Sequence, residues 1–443
     1  MSDASASSSN IVAEVIDNGQ ISGQQILVIG LCMFFNMLDG FDITAMAVVA
    51  TSVSNDLDLS ADRLGLIFSF ALAGMMAGAM VLAPVSDIIG RRKMIILSVV
   101  IVGVSIIFTA TATTLTEFIV LRFISGLGAG AMLASQAALA AEYSPDKYRA
   151  LSVALVTSGY PLGAMMTSVM AGFILPEYDW RGMFWFGGGL TLVMGLVAWA
   201  MIPESLKYLL ERRPEGALER VNKILTKLKK PTLDSLPEVA AHEAPKSTGL
   251  VNNMLGLLTK EHRTKTLTLW LTFFMCFSTL YFLMSWIPRM MEQAGFSPEV
   301  GRYAFFLFNF GGVIGIYTTG TLAIRFHLTK IVSIFLVAAA IGMIIFAAAP
   351  SQEGLLLTLT FIIGVLQQGG FTGLYAVATK VYPTHIRTTG IGFAIGLGRF
   401  GAVVGPGLAG FLIAAGLSMS GNYYVFAVPM IIGGLLSYRL NVK

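Results

Sequence analysis

The chain has 443 residues, 55% hydrophobic and only 12% charged, with a net charge of +4 and a mean hydropathy of +0.76. That balance excludes a soluble globular domain, and so small a positive charge does not make a nucleic-acid-binding surface. Cys32 and Cys276 both fall in apolar runs, so neither a disulfide framework nor a metal cluster is indicated.

Residues 1–24 open with a Ser-rich, acidic stretch that lacks a basic segment before a short apolar core. It reads as a disordered cytoplasmic tail rather than a signal peptide. Twelve apolar runs follow, each of about 18–27 residues and long enough to span a hydrocarbon core of about 30 Å. They lie at 25–51, 61–83, 93–113, 117–141, 149–174, 182–202, 266–288, 300–324, 330–349, 354–379, 388–414 and 421–440. The expected fold is an all-α integral membrane protein: a six-helix bundle over 25–202, a cytoplasmic amphipathic linker over 203–265 and a second bundle over 266–443.

The first run contains Asn36-Met-Leu-Asp39-Gly-Phe-Asp42. A carboxylate at mid-bilayer depth costs several kcal/mol unless paired, hydrated or protonated, so acids there usually serve a function. The i, i+3 spacing puts both aspartates on one helical face, which must point into protein or water. Arg122 lies about 8 Å into the fourth run and Asp42 about 14 Å into the first, counted from the outer side at 1.5 Å per residue. An Arg122–Asp42 or Arg122–Asp39 pair follows, favouring the ionised acid where desolvation favours the neutral one. Asp39, Asp42 and Arg122 are thus the proton-coupling candidates; the alternative is a fixed salt bridge between helices. Between the second and third runs stands Asp87-Ile-Ile-Gly90-Arg91-Arg92-Lys93, whose glycine permits a tight turn. Glu142 and Arg149, at the inner end of the fourth run and beyond it, are expected to pair with this cluster, and such exchangeable pairs bias two access states.

The linker begins Pro203-Glu-Ser-Leu and sets leucines, Val221 and Ile224 against many Lys and Arg. Basic amphipathic helices of this kind lie at the anionic cytoplasmic interface. In the second half Arg399 sits about 17 Å deep, among glycines. No acid is evident in the spans of its own half, so its planar fork points to a substrate carboxylate, with Asp39 as the alternative partner. Asn309, Gln367 and Gln368 are amides that need polar partners within a span. Phe282, Trp286, Phe306 and Tyr375, with Tyr160 of the first half, are the candidate ring contacts.

The halves match at an offset of 238 residues: Ala171-Gly-Phe-Ile174 recurs as Ala409-Gly-Phe-Leu412, Gly126 pairs with Gly364 and Gly163 with Gly401. Several matches at one offset indicate duplication. At that offset Asp39, Asp42 and Arg122 face Phe277, Leu280 and Thr360, whereas Arg399 faces Pro161. Proton handling therefore falls to the first half and anion and ring recognition largely to the second. With both termini inside, the inner loops carry Arg91, Arg92, Lys93, Lys147, Arg149, Arg325, Lys330, Lys380, Arg387 and others, the linker twelve more basic residues, and the outer loops only Arg63, Arg181, Arg289 and Arg302. That asymmetry predicts cytoplasmic termini.

Leu38-Asp-Gly-Phe-Asp42, Asp87–Lys93, Leu121-Arg-Phe, Pro203-Glu-Ser205, Tyr382-Pro-Thr-His-Ile-Arg387 and Gly398-Arg-Phe-Gly-Ala-Val-Val-Gly-Pro406 together resemble the aromatic acid:proton symporters of the major facilitator superfamily. The resemblance spans about residues 25–440 and departs at Gly320–His327, which lacks the acid and the Gly-Arg-Arg run of the first inner turn. It implies two bundles related by an axis along the membrane normal, with the site between them. It implies a bacterial inner-membrane importer of benzoate-like or hydroxybenzoate-like anions, coupled to protons through Asp39 and Asp42. Arg122 and Arg399 would belong to the charge network. No enzyme activity and no cofactor are expected: the proton gradient would drive a monomer in the lipid bilayer. The alternatives are a proton-coupled exporter of drugs or other organic compounds and a non-transporting aromatic-acid sensor.

Overall fold

In a bilayer a spanning segment must satisfy its own backbone hydrogen bonds, so apolar runs of this length become helices. The computed structural model describes residues 21–236, 257–260, 262–382 and 384–440. The expected tail up to residue 20, residues 237–256 and 261 of the linker, and Pro383 lie outside the described residues. Those described contain helices and no strands. The first half comprises α1 (Gly23–Asp56), α2 (Ala61–Ala77, prolonged by a π-helical turn Gly78–Leu82), α3 (Arg91–Thr109), α4 (Leu115–Glu142) and α5 (Asp146–Met201). Two short linker helices follow, α6 (Leu206–Arg212) and α7 (Ala217–Lys227). The second half comprises α8 (Arg263–Gln293), α9 (Pro298–Leu322), α10 (Leu328–Ala348), α11 (Glu353–Val381), α12 (Thr384–Ala414) and α13 (Met419–Arg439). Capping boxes start α1 (Ser22 with Gln25) and α4 (Thr114 with Glu117).

Eleven of these helices are long and apolar enough to cross a membrane, against twelve runs expected. The difference lies in α5, whose 56 residues would extend about 84 Å if straight. Its backbone is non-helical at Asp179 (φ 56°, ψ −172°). A Cβ on Gly163 would collide with the Met37 carbonyl, and one on Gly187 with the Phe41 ring. Two residues about 36 Å apart along a straight helix thus touch one turn of α1, so the limbs 146–178 and 180–201 double back at Asp179. That strained turn is clamped by Arg181, which pairs with Asp56 (2.9 Å) and Asp179 (3.7 Å), and by the Trp180 indole donating to Asp56.

The duplication is visible in the packing. In the first half a Cβ on Gly74 would strike the Phe123 carbonyl; in the second a Cβ on Gly311 would strike the Phe361 carbonyl, 238 residues on from Phe123. Gly163 seats on α1 as Gly401 seats on the Phe274 carbonyl of α8. Small residues let apolar helices approach to backbone contact, where dispersion holds them. Gly163→Val should therefore destabilise the protein by about 1–3 kcal/mol, read as a lowered unfolding temperature in detergent.

The halves meet where α2 packs on α12, α5 on α9 and α1 on α8. The α2–α12 seam is the tightest: the Pro406 carbonyl lies 3.0 Å and the Gly410 Cα 3.2 Å from where a Cβ on Gly65 would stand. The Ser69 hydroxyl donates to the Val403 carbonyl at 2.7 Å. This seam involves the first turns of α2, at the end of the molecule away from the linker, so the halves are sealed at that far face.

At the opposite face the linker helices bury Leu206, Leu209, Leu210, Val221, Ile224 and Leu225 in one cluster with Val28, Cys32, Leu139 and Tyr143. The apolar side of the linker is thus taken up by the end of the first bundle.

Candidate functional site

Asp42 and Arg122 meet as expected. An Arg122 Nη donates to the Asp42 carboxylate at 2.7 Å and also reaches the Asp42 backbone carbonyl at 3.3 Å. The guanidinium lies 5.1 Å from the Phe184 ring centroid and approaches the Thr109 hydroxyl at 3.4 Å. Both side chains are 1% exposed. Four elements (α1, α3, α4 and the second limb of α5) thus converge on one pair. The guanidinium sits between an acid and an aromatic face, while its own Nε and the second Asp42 oxygen stay without hydrogen-bond partners among the described residues. Asp39 is different. It is fully buried, and neither carboxylate oxygen accepts a hydrogen bond from the described residues. Asn36, one turn earlier, donates to the Val156 carbonyl at 2.8 Å and leaves its own oxygen unpartnered.

In the second half an aromatic wall runs along α8 and α11. Phe273, Phe277 and Tyr281 follow one another at i, i+4, i+8, with Phe277 and Tyr281 stacked at 6.1 Å. Phe371 sets its edge on Phe277 at 4.8 Å, and Tyr375 on Phe273 at 5.3 Å. Arg399 acts electrostatically on the Tyr375 and Tyr160 hydroxyls. It forms no ion pair with a carboxylate of the described residues. Tyr160, on the first limb of α5, lies within the electrostatic reach of Tyr281, Asp39 and Arg399, which come from both halves.

The amides are buried as expected. Gln367 shares a helical stripe with Phe371 and Tyr375, and neither of its amide atoms is hydrogen-bonded. Asn309 donates to the Phe305 carbonyl of its own helix at 2.9 Å and leaves its oxygen unpartnered. Gln368 packs on Gly312, inside the α9–α11 interface.

Three ring candidates are corrected. Phe282 stacks on Phe426 at 4.0 Å and edges Tyr423, so it is interior packing of the second bundle. Trp286 donates to the Pro406 carbonyl at 3.1 Å and meets Phe68 of the other half edge-on, so it belongs to the far-face seal. Phe306 stacks on Phe310 along a stripe that continues through the exposed Tyr303, Ile314 and Tyr317, which is a lipid-facing side. Phe306→Leu should accordingly change the half-saturating substrate concentration by less than about twofold, within the range of an uninvolved surface position.

At the linker face Arg91 pairs with Glu142 (3.1 Å) and Asp87 (3.6 Å). The Ser205 hydroxyl donates to Glu142 at 2.5 Å. Glu204 accepts from the backbone N–H of Arg92 at 3.0 Å and occupies the space a Cβ on Gly90 would need, where φ is 101°. Arg92 donates to the Trp199 carbonyl. Arg149 instead forms an ion pair with Asp146, three residues back, rather than with the Asp87–Lys93 turn.

Thr109, Phe184, Phe371 and Glu204 were not legible as site residues. Phe371 was marked only by its i, i+4 spacing to Tyr375.

The family model of the Major Facilitator Superfamily matches residues 29–318 and 269–442. A 4-hydroxybenzoate transporter of Pseudomonas putida is 30% identical over 442 residues, covering 96% of each chain. A gallate transporter of Pseudomonas putida is 28% identical, over 94% of this chain and 92% of its own. A benzoate transport protein of Acinetobacter baylyi is also 28% identical, over 97% and 92%. Among solved structures, a D-xylose-proton symporter superposes with a TM-score of 0.72 at 16% identity, covering 93% of this chain and 97% of the other.

Proposed function

Because this chain belongs to the aromatic-acid transporters of the Major Facilitator Superfamily, we propose that it imports small aromatic carboxylates with protons by alternating access. It is a multi-pass protein of the bacterial inner membrane and a transporter, not an enzyme. The two limbs of α5 are read as separate spans, giving twelve, with both termini and the linker in the cytoplasm. On that reading the sealed far face is periplasmic and the site faces inward.

The observation that carries the substrate class is Arg399. A guanidinium inside an apolar bundle needs an anion, and no carboxylate of the described residues pairs with it. Its field reaches the phenols of Tyr160 and Tyr375, and the neighbouring Gly398 packs on Phe273 and Phe277 of a ring wall that would take an aromatic body edge-on or stacked. A benzoate-like anion answers both. Gln367 offers an unsatisfied amide to a ring substituent on the same stripe. Asp39, the acid without a donor, takes the proton, while Asp42 stays ionised against Arg122.

Proteoliposomes with an inward proton gradient test this. Labelled 4-hydroxybenzoate, benzoate or gallate should accumulate, and counterflow should occur without a gradient. Accelerated loss of these anions on inward proton flow would identify an exporter. Binding without counterflow would identify a sensor.

A further inference from the structure

Two complementary groups stand unsatisfied on touching helices. Neither oxygen of the Asp39 carboxylate accepts a hydrogen bond, and the buried Tyr160 hydroxyl makes none that meets hydrogen-bond geometry. Their backbones are in contact: a Cβ on Gly40, the residue after Asp39, would collide with the Tyr160 carbonyl. The same hydroxyl lies close to that of Tyr281 and within the fields of Asp39 and Arg399. Among the described residues, Asp42 acts on Asp39 and is paired with Arg122, and Tyr375 lies in the field of Arg399. A phenol of the first half therefore feels both the acid of its own half and the guanidinium of the other.

We propose that Tyr160 couples proton to substrate by exchanging its hydrogen-bond acceptor. While Asp39 is ionised, the Tyr160 hydroxyl turns to that carboxylate. When Asp39 takes a proton from water on the open side, forming its own O–H bond, the hydroxyl turns to a substrate carboxylate held by Arg399. Tyr160 keeps its proton throughout, so the only bond formed is the Asp39 O–H.

Charge counting explains why this links the two events. The Asp42–Arg122 pair is neutral in every state. Ionised Asp39 balances Arg399 in the empty site; a bound carboxylate balances Arg399 once Asp39 is neutral. Both states carry no net charge and can reorient through a low-dielectric interior. Substrate without the proton leaves a net negative site, and the proton without substrate leaves a net positive one; each is penalised by burial of an unbalanced charge. Tyr160 adds a directional element to that balance, because one O–H cannot serve both acceptors at once.

This inference rests on the aromatic-carboxylate and proton reading above, and its test separates the two. In proteoliposomes the half-saturating concentration of 4-hydroxybenzoate should rise for the parent protein between pH 6 and pH 8. In Tyr160→Phe the ratio of the two values should shrink by about tenfold, the worth of one hydrogen bond to a charged group. Tyr281→Phe should raise both values alike and leave their ratio unchanged. An unchanged ratio in Tyr160→Phe overturns the inference while the transport reading stands. Should Tyr160→Phe fail to fold, the parent protein in unbuffered detergent at pH 7.5 decides. Binding of 4-hydroxybenzoate should draw protons from a pH indicator, and binding without proton uptake overturns the exchange. A parent protein that neither binds nor moves 4-hydroxybenzoate, benzoate or gallate overturns both readings.

Discussion

Arg399→Ala is expected to raise the half-saturating concentration of an aromatic carboxylate by about 30- to 1000-fold. That range corresponds to about 2–4 kcal/mol, the worth of a bidentate guanidinium–carboxylate interaction away from water. No second cation stands by to substitute. Arg122, which also lies well inside its span, is already engaged by Asp42, Thr109 and the Phe184 face. Arg399→Lys keeps the charge but loses the fork, so it should recover only part of the affinity. Uptake and counterflow in proteoliposomes measure both variants. A half-saturating concentration within threefold of the parent value in Arg399→Ala would remove the carboxylate from this position.

Asp39→Asn and Asp42→Asn should fail in different ways, although the two acids are three residues apart. Asp39 accepts no hydrogen bond from the described residues, so an amide in its place mimics the protonated acid, and a bound carboxylate then balances Arg399. The protein should fold, exchange substrate in counterflow and lose proton-driven accumulation entirely. Asp42→Asn strands the Arg122 guanidinium, 1% exposed, which costs about 3–5 kcal/mol and should appear first as a lowered unfolding temperature. Combining it with Arg122→Gln removes the stranded charge and should restore much of that stability. With a single free acid, one proton accompanies one anion and the cycle is electroneutral. A one-unit pH gradient should then give about tenfold accumulation, and a potassium diffusion potential alone should give none. Accumulation driven by the potential alone would require a second proton and would bring Asp42 into the cycle.

The linker-face clasp has a smaller effect in view. Glu204 and Glu142 hold the Gly90–Arg92 turn to the linker, whereas Gly320–His327 of the second half carries exposed Ile324 and Phe326 in the matching place. The asymmetry was legible in the missing Gly-Arg-Arg run. The partners of the first turn were not, because Glu204 and Ser205 lie over a hundred residues from it.

The all-helical, multi-span class, the duplication and the buried charges were readable from the chain alone because each depends on local composition or on a fixed offset. Bilayer thickness converts an apolar run into a helix whatever its neighbours are. A glycine repeated 238 residues later marks the same backbone contact in both halves. An acid within a span is costly wherever it points, so Asp39, Asp42, Arg122 and Arg399 announced themselves. Only the tertiary structure decided which of them meet and which rings face the site. Asp42 rather than Asp39 binds Arg122, 80 residues away in sequence, because three residues along α1 rotate a side chain by about 60° toward a different neighbour. Phe282 and Phe371 are the same residue type in similar apolar surroundings. Helix rotation alone sends one into the packing of α13 and the other onto Phe277. The double-back of α5 and the seating of the linker's apolar side on the first bundle belong to the same class. Each depends on contacts between distant segments, and hydrophobic burial has no direction until the partner surface exists.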